Sequence, residues 1–105
     1  MASQDARPAV FDEIIHPPNR LRLCAILAGA DLVEFATARD VLDVSDSVLS
    51  KQVKILRDAG YVRVVKKVLR SRPQTWLGLT AKGKRALNGH LAELNRLSAQ
   101  VSGDL

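Results

Sequence analysis

Cysteine, aromatic residues and long apolar runs are all scarce in this chain, and each scarcity excludes something. The 105 residues hold one cysteine, Cys24. A lone thiol cannot close an internal disulfide, so a stapled secreted scaffold is excluded and the cytoplasm is the expected compartment. On an apolar helix it reads as a small buried hydrophobe rather than a sensor. His16 and His90 are the two histidines. Neither stands at ligand spacing from another histidine or from the cysteine, so no metal site is expected. His16 reads as a helix-end residue beside prolines and His90 as a surface residue. No apolar run approaches the roughly 20 residues that span a bilayer. The start of the chain also lacks the basic-then-apolar order of a signal peptide. There is no nucleophile–base pair, no plausible carboxylate pair and no glycine-rich phosphate loop. Neither a catalytic residue nor a cofactor is expected.

What is present is a folding sequence. Apolar residues make up 47% of it, enough for one domain with a modest core. That domain is expected over residues 8–101, with residues 1–7 and 102–105 as flexible tails. The formal net charge is +5, and it is unevenly spread. Residues 1–44 hold four Lys/Arg against seven Asp/Glu, whereas residues 45–75 hold eight against two. A basic middle behind an acidic front suits a polyanionic partner.

The residue pattern orders the elements. PAVFDEIIH (8–16) reads as a short helix with Pro8 at its first position and Val10, Phe11, Ile14 and Ile15 on one face. The prolines after His16 end it. A second helix is expected over 17–28, stopped at Gly29. A one-rung strand around 31–35 and a small helix over 36–42 follow. Ser45 is a good N-cap for a helix that ends at Gly60. Stepping about 100° per residue puts Leu49, Val53 and Leu56 on its inner stripe. Its outer face then carries Ser47, Lys51 and Lys54, and it is read as free of acid. Residues 61–68 and 74–79 suit two strands, with Arg70, Ser71, Arg72 and Pro73 in the loop between them; Pro73, which cannot donate to a ladder, belongs in that loop or on an edge. Tyr61 and Trp76 are read as core-packing aromatics, Trp76 anchoring its strand. Thr80 caps a last helix whose Leu87, Leu91, Leu94, Ser98 and Val101 share a face.

The expected fold is therefore mainly α with a small β-hairpin wing (α+β), in the order α-α-β-α-α-β-wing-β-α. That is the layout of a winged helix–turn–helix. Residues 36–60 form the helix–turn–helix and residues 61–79 the wing.

Five stretches carry a resemblance to a known family. They are HPPNRLRLCAIL (16–27), EFATARDVL (34–42), SDSVLSKQVKILRDAGYV (45–62), RPQTWLGLT (72–80) and TAKGKRAL (80–87). In this order they resemble the small winged-helix transcriptional regulators of the MarR and ArsR groups, over residues 10 to about 98. The resemblance implies a sequence-specific regulator of double-stranded DNA, acting as a homodimer. It implies a recognition helix reading through Ser47, Ser50, Lys51, Gln52 and Lys54. The cysteine pair of ArsR-type metal sensors is missing from residues 36–42, so metal sensing is not implied. The longer helical arms of full-length MarR proteins are missing too, and no small-molecule effector is indicated.

The chemistry agrees with that reading. Lys66, Lys67, Arg70, Ser71 and Arg72 on the wing can follow the DNA backbone, and an arginine at the tip can enter the minor groove. The apolar residues Val10, Phe11, Ile14, Leu87, Leu91, Leu94 and Val101 exceed what one small core needs and suit a twofold interface. A dimer reading a palindromic operator as a repressor is the expected role. Two alternatives stand beside it: a winged-helix module for protein–protein contact, and a non-specific architectural DNA binder.

Overall fold

The computed structural model describes residues 9–103. Seven elements follow in order: α1 (Pro18–Ala28), β1 (Val33–Glu34), α2 (Phe35–Leu42), α3 (Asp46–Asp58), β2 (Val62–Leu69), β3 (Arg72–Leu79) and α4 (Ala81–Val101). The expected tail 1–7 and Pro8 lie outside the described residues, as do residues 104 and 105. Residues 102 and 103 form a turn after α4.

Local chemistry accounts for most boundaries. Ser45 accepts from the Val48 N–H and caps α3, and Thr80 accepts from the Gly83 N–H and caps α4. Gly60, at φ 82°, turns the chain out of α3 in a left-handed conformation that a side chain would strain. Gly29 does not end α1 that way. Its φ is −87°, so it is a right-handed cap that any residue could fill.

The three strands form an antiparallel sheet in the order β1-β3-β2. Pro73 lies in the central strand, β3, at an edge position, the second of its two expected places, and not in the loop. It is tolerated because β1 pairs only with Trp76 and Leu77, leaving the far end of β3 an edge. The turn itself is just Arg70 and Ser71, at φ 54° and 64°. Two residues at positive φ make the tight hairpin turn whose twist matches its strands. Arg72 is therefore not at the tip but is the first residue of β3, opposite Leu69.

The core lies where the helices meet one face of the sheet. Leu23, Cys24 and Leu27 of α1, Ala38 of α2, Leu49, Val53 and Leu56 of α3, and Leu77 and Leu79 of β3 are buried together. Each fully buried leucine contributes roughly 1.5–3 kcal/mol. The expected inner stripe of α3 is the observed one. Burial pushes the Cys24 thiol up to about 12, with the nearby Asp12 charge adding to the effect, so it stays protonated and unreactive.

The N-terminal segment corrects one expectation. Residues 9–16 form no helix; an irregular stretch leads into a turn over residues 13–15. The backbone donors find other partners. Val10 N–H donates to the Gly89 carbonyl, and Asp12 N–H donates to His90 Nδ1 at 2.9 Å. The Asp12 carboxylate accepts from the Ile14 and Ile15 N–H groups and, at 2.6 Å, from the Tyr61 hydroxyl. Asp is a natural competitor of helix here, because its side chain can bond backbone N–H groups two or three residues on.

His90 is likewise corrected, from a surface residue to a fully buried one. Its Nδ1 accepts from Asp12, so its proton sits on Nε2, 3.0 Å from His16 Nδ1. His90 is neutral in this arrangement, and Phe11 packs against both rings. Burial first, and His16 second, hold the His90 pKa below its usual value, with Asp12 opposing. A histidine depressed in the fold stabilises it fully above the unfolded value of about 6.5 and loses that contribution as pH falls. Urea unfolding midpoints are therefore expected to drop between pH 7.5 and 5.5, above the range where carboxylates titrate. His16→Asn keeps an acceptor for His90 and should shrink that drop. A midpoint flat over this interval would contradict the assigned tautomers.

Candidate nucleic-acid interface

Helix α3 presents Ser47, Ser50, Lys51 and Lys54 to solvent, as its periodicity requires. The outer face is not free of acid, however. Asp58 lies on it one turn beyond Lys54 and accepts an ion pair from it at 2.8 Å. That bond holds the Asp58 carboxyl below its usual range. The second acid of the helix, Asp46, is met at 2.8 Å by Arg39 of α2. Each carboxylate is thus matched, while Lys51 and Arg57 carry no ion pair among the described residues.

Gln52 sits apart from this face. It is half-buried on the flank of α3, and its Oε1 accepts from Arg20 of α1 at 2.9 Å. Arg20 lies 32 residues away, and no sequence pattern connects the two.

Between α3 and the sheet runs a groove of about 500 Å³. Lys54, Arg57 and Lys66 supply positive charge to it, Ser50 and Thr75 supply hydroxyls, and Asp46, ion-paired to Arg39, is its one acid. Its floor is apolar, from Phe35, Val53, Val64 and Leu77. Lys66 donates to the Thr75 hydroxyl at 2.9 Å across the hairpin, which fixes the ammonium toward the groove. A row of cations and hydroxyls over an apolar floor suits a sugar–phosphate chain.

The wing divides its charges between two faces, because side chains alternate along a strand. Lys66 and Val68 share the side of Thr75 and face α3, whereas Lys67 and Leu69 share the opposite side with Arg72 and Trp76. Trp76 corrects the sequence reading. It does not join the core; it is half-buried on the outer side, with the Lys67 ammonium 4.9 Å from its ring centre. Arg70 and Ser71 occupy the turn. The five wing residues therefore form a tip and two flanks rather than one patch.

The apolar residues expected at a dimer interface divide as well. Leu87 is only 3% exposed and belongs to the domain's own core, so it has no surface to offer. Val10, Phe11, Ile14, Leu91 and Val101 are exposed, and Leu94 is half-buried. The half of α4 beyond His90 buries none of its residues, and the molecule measures 58 Å along its long axis. Among the described residues no cluster of His, Cys, Asp or Glu could hold a metal ion. No helix there is long and apolar enough to cross a membrane.

A helix–turn–helix with an exposed cationic helix, a hairpin beside it and a groove between them defines the winged-helix class. Residues 19–98 match the family described as winged helix DNA-binding domain. The chain belongs to that family, and its partner is DNA; the family is not one of enzymes. An uncharacterized protein of Methanocaldococcus jannaschii is 27% identical over 92 residues, 88% of this chain and 96% of that one. The solved structure of a transcriptional regulator homologue from Pyrococcus horikoshii superposes with a TM-score of 0.80 at 24% identity, over 86% of this chain and 89% of that one. A MarR-family transcriptional regulator from Silicibacter pomeroyi superposes at 0.67 and 25% identity, over 89% of this chain and 61% of that one.

Proposed function

We propose that the protein is a sequence-specific transcriptional regulator that binds a palindromic operator as a twofold dimer and represses by occlusion. The observation that carries this reading is the cationic groove between α3 and the wing, beside the exposed Ser47–Ser50–Lys51 face. Helix α3 enters the major groove, with Ser47, Ser50 and Lys51 toward base edges. Lys54, Arg57 and Lys66 hold the phosphates running between helix and hairpin. The turn, Arg70 and Ser71, and the neighbouring Lys67 and Arg72 lie on the backbone or in the minor groove. Residues 8–101 act as one DNA-binding unit. Val10, Phe11 and Ile14 at one end, and Leu91, Leu94 and Val101 at the other, form the contact between protomers. The exposed apolar half of α4 supports that pairing, because such a stripe is costly in water.

Selection from a random duplex library tests the reading. A twofold-symmetric site is expected, and Lys51→Ala should relax its sequence. With three or four phosphates neutralised per protomer, log K should fall against log salt with a slope of roughly −5 to −7. Selection of no sequence, with a steep slope retained, would favour an architectural binder. A slope near zero would remove the interface altogether. A monomeric mass at micromolar concentration would remove the dimer.

A further inference from the structure

Arg20 stands outside both the recognition helix and the wing, yet it touches α3. Its Nε donates to the Ile14 carbonyl of the N-terminal segment, and its Nη1 donates to Gln52 Oε1 at 2.9 Å. A guanidinium has donors only, so it can face only the oxygen of a carboxamide. This decides the orientation of a side chain whose two ends are otherwise interchangeable in shape. The Gln52 oxygen is engaged. Its NH2 makes no hydrogen bond within the described residues and is not sealed from solvent.

That orientation restricts what Gln52 can recognise. Glutamine reads adenine with two bonds, accepting from N6–H and donating to N7. The first bond would have to use the second lone pair of the oxygen, beside the Arg20 guanidinium. The end left free is a pair of N–H donors, suited to an acceptor: a phosphate oxygen, guanine O6 or N7, or thymine O4. Arg20 is itself held at its other end by Ile14, and Ile15 beside that residue is fully buried. The arginine is thus anchored rather than free to turn toward solvent.

We propose that Arg20 is a positioning residue for DNA recognition: it holds the Gln52 oxygen on the α1 side, leaves the NH2 as the free end and so makes Gln52 a donor toward DNA. The inference rests on α3 being the DNA-reading helix and on Gln52 touching DNA from the flank of that helix; it adds a residue of α1 to the surface without giving it a DNA contact.

The test is a set of affinities for the selected operator, measured by fluorescence anisotropy on the full chain, with thermal midpoints recorded for each variant. Gln52→Glu keeps an acceptor for Arg20 but sets an oxygen against the DNA acceptor. It is expected to bind about 2- to 10-fold more weakly than Gln52→Ala. A loss uniform across duplexes identifies a phosphate as the acceptor, and a loss confined to sites with guanine or thymine at one position identifies a base edge. Arg20→Met should weaken binding about as much as Gln52→Ala, and the double variant should be no weaker than either. If Arg20→Met fails to fold, Arg20→Lys keeps one donor for the oxygen and should bind within about twofold of wild type.

Two results would overturn the proposal. One is Gln52→Glu binding as well as Gln52→Ala. The other is an Arg20→Met loss that multiplies with that of Gln52→Ala, marking Arg20 as a contact in its own right. Absence of any DNA binding by the wild type would instead overturn the reading of α3, and this proposal with it.

Discussion

Gly83→Ala is expected to lower the thermal midpoint by roughly 12–24 °C, corresponding to about 3 kcal/mol in a domain of this size. Gly83 lies in the first turn of α4, where its N–H donates to the capping hydroxyl of Thr80 at 2.9 Å. A Cβ built there would fall within 2.2 Å of the Tyr61 carbonyl oxygen and 2.9 Å of a Leu79 methyl. The first neighbour is backbone, held in place because the same carbonyl accepts from the Thr80 N–H. Relief therefore requires α4 to move off the junction of α3 and β2. Thr80 would lose its second bond there, from its hydroxyl to the Gly60 carbonyl at 2.7 Å. Gly29→Ala is the matched control. Its Cβ would make an ordinary 3.6 Å contact, and its φ suits any residue. That variant should be neutral or more stable by up to about 1 kcal/mol. Similar midpoints for both variants would contradict the close approach of α4 to Tyr61.

The largest effect expected on binding comes from the groove. Arg57→Ala combined with Lys66→Ala removes two cations per protomer, four in the proposed dimer. Each phosphate contact is worth roughly a factor of eight at 0.1 M salt, so the operator affinity should fall about 10³- to 10⁴-fold. The salt slope should become shallower by about 3 to 4 in the same measurement. Both residues face solvent, and Arg57 makes no ion pair, so the fold should survive. Arg22→Ala, a cation between α1 and α2 beside Val41 that does not line the groove, should change little. A loss below tenfold would place the DNA backbone elsewhere than between α3 and the wing.

How far the sequence could be read depended on how local each signal was. Ser45, Thr80 and Gly60 mark helix ends through bonds to residues within one turn, and each sits where its chemistry puts it. The Leu49–Val53–Leu56 stripe needs only helical period. Residues 9–16 show the limit. Val10, Phe11, Ile14 and Ile15 have helical spacing, but the backbone is claimed by His90 and Gly89, nearly eighty residues away. Trp76 and Leu87 fail similarly. Strand alternation did not say which face of β3 meets the helices, and the α4 stripe did not say where the domain ends along it. Asp58 was legible: it follows Lys54 by four residues, which is ion-pair spacing on a helix.

By itself, then, the sequence determined the winged-helix layout, the basic middle of the chain and the exposed face of α3, because those follow from periodicity, capping and charge among near neighbours. Only the tertiary structure decided that Arg20 holds Gln52, that His90 is buried against Asp12 and His16, that Lys66 and Lys67 part to opposite sides of the wing, and that Leu87 belongs to the core. Each of these depends on which distant segments share a face. That is set by the packing of the whole chain, through contacts whose partners carry no mark of one another in the sequence.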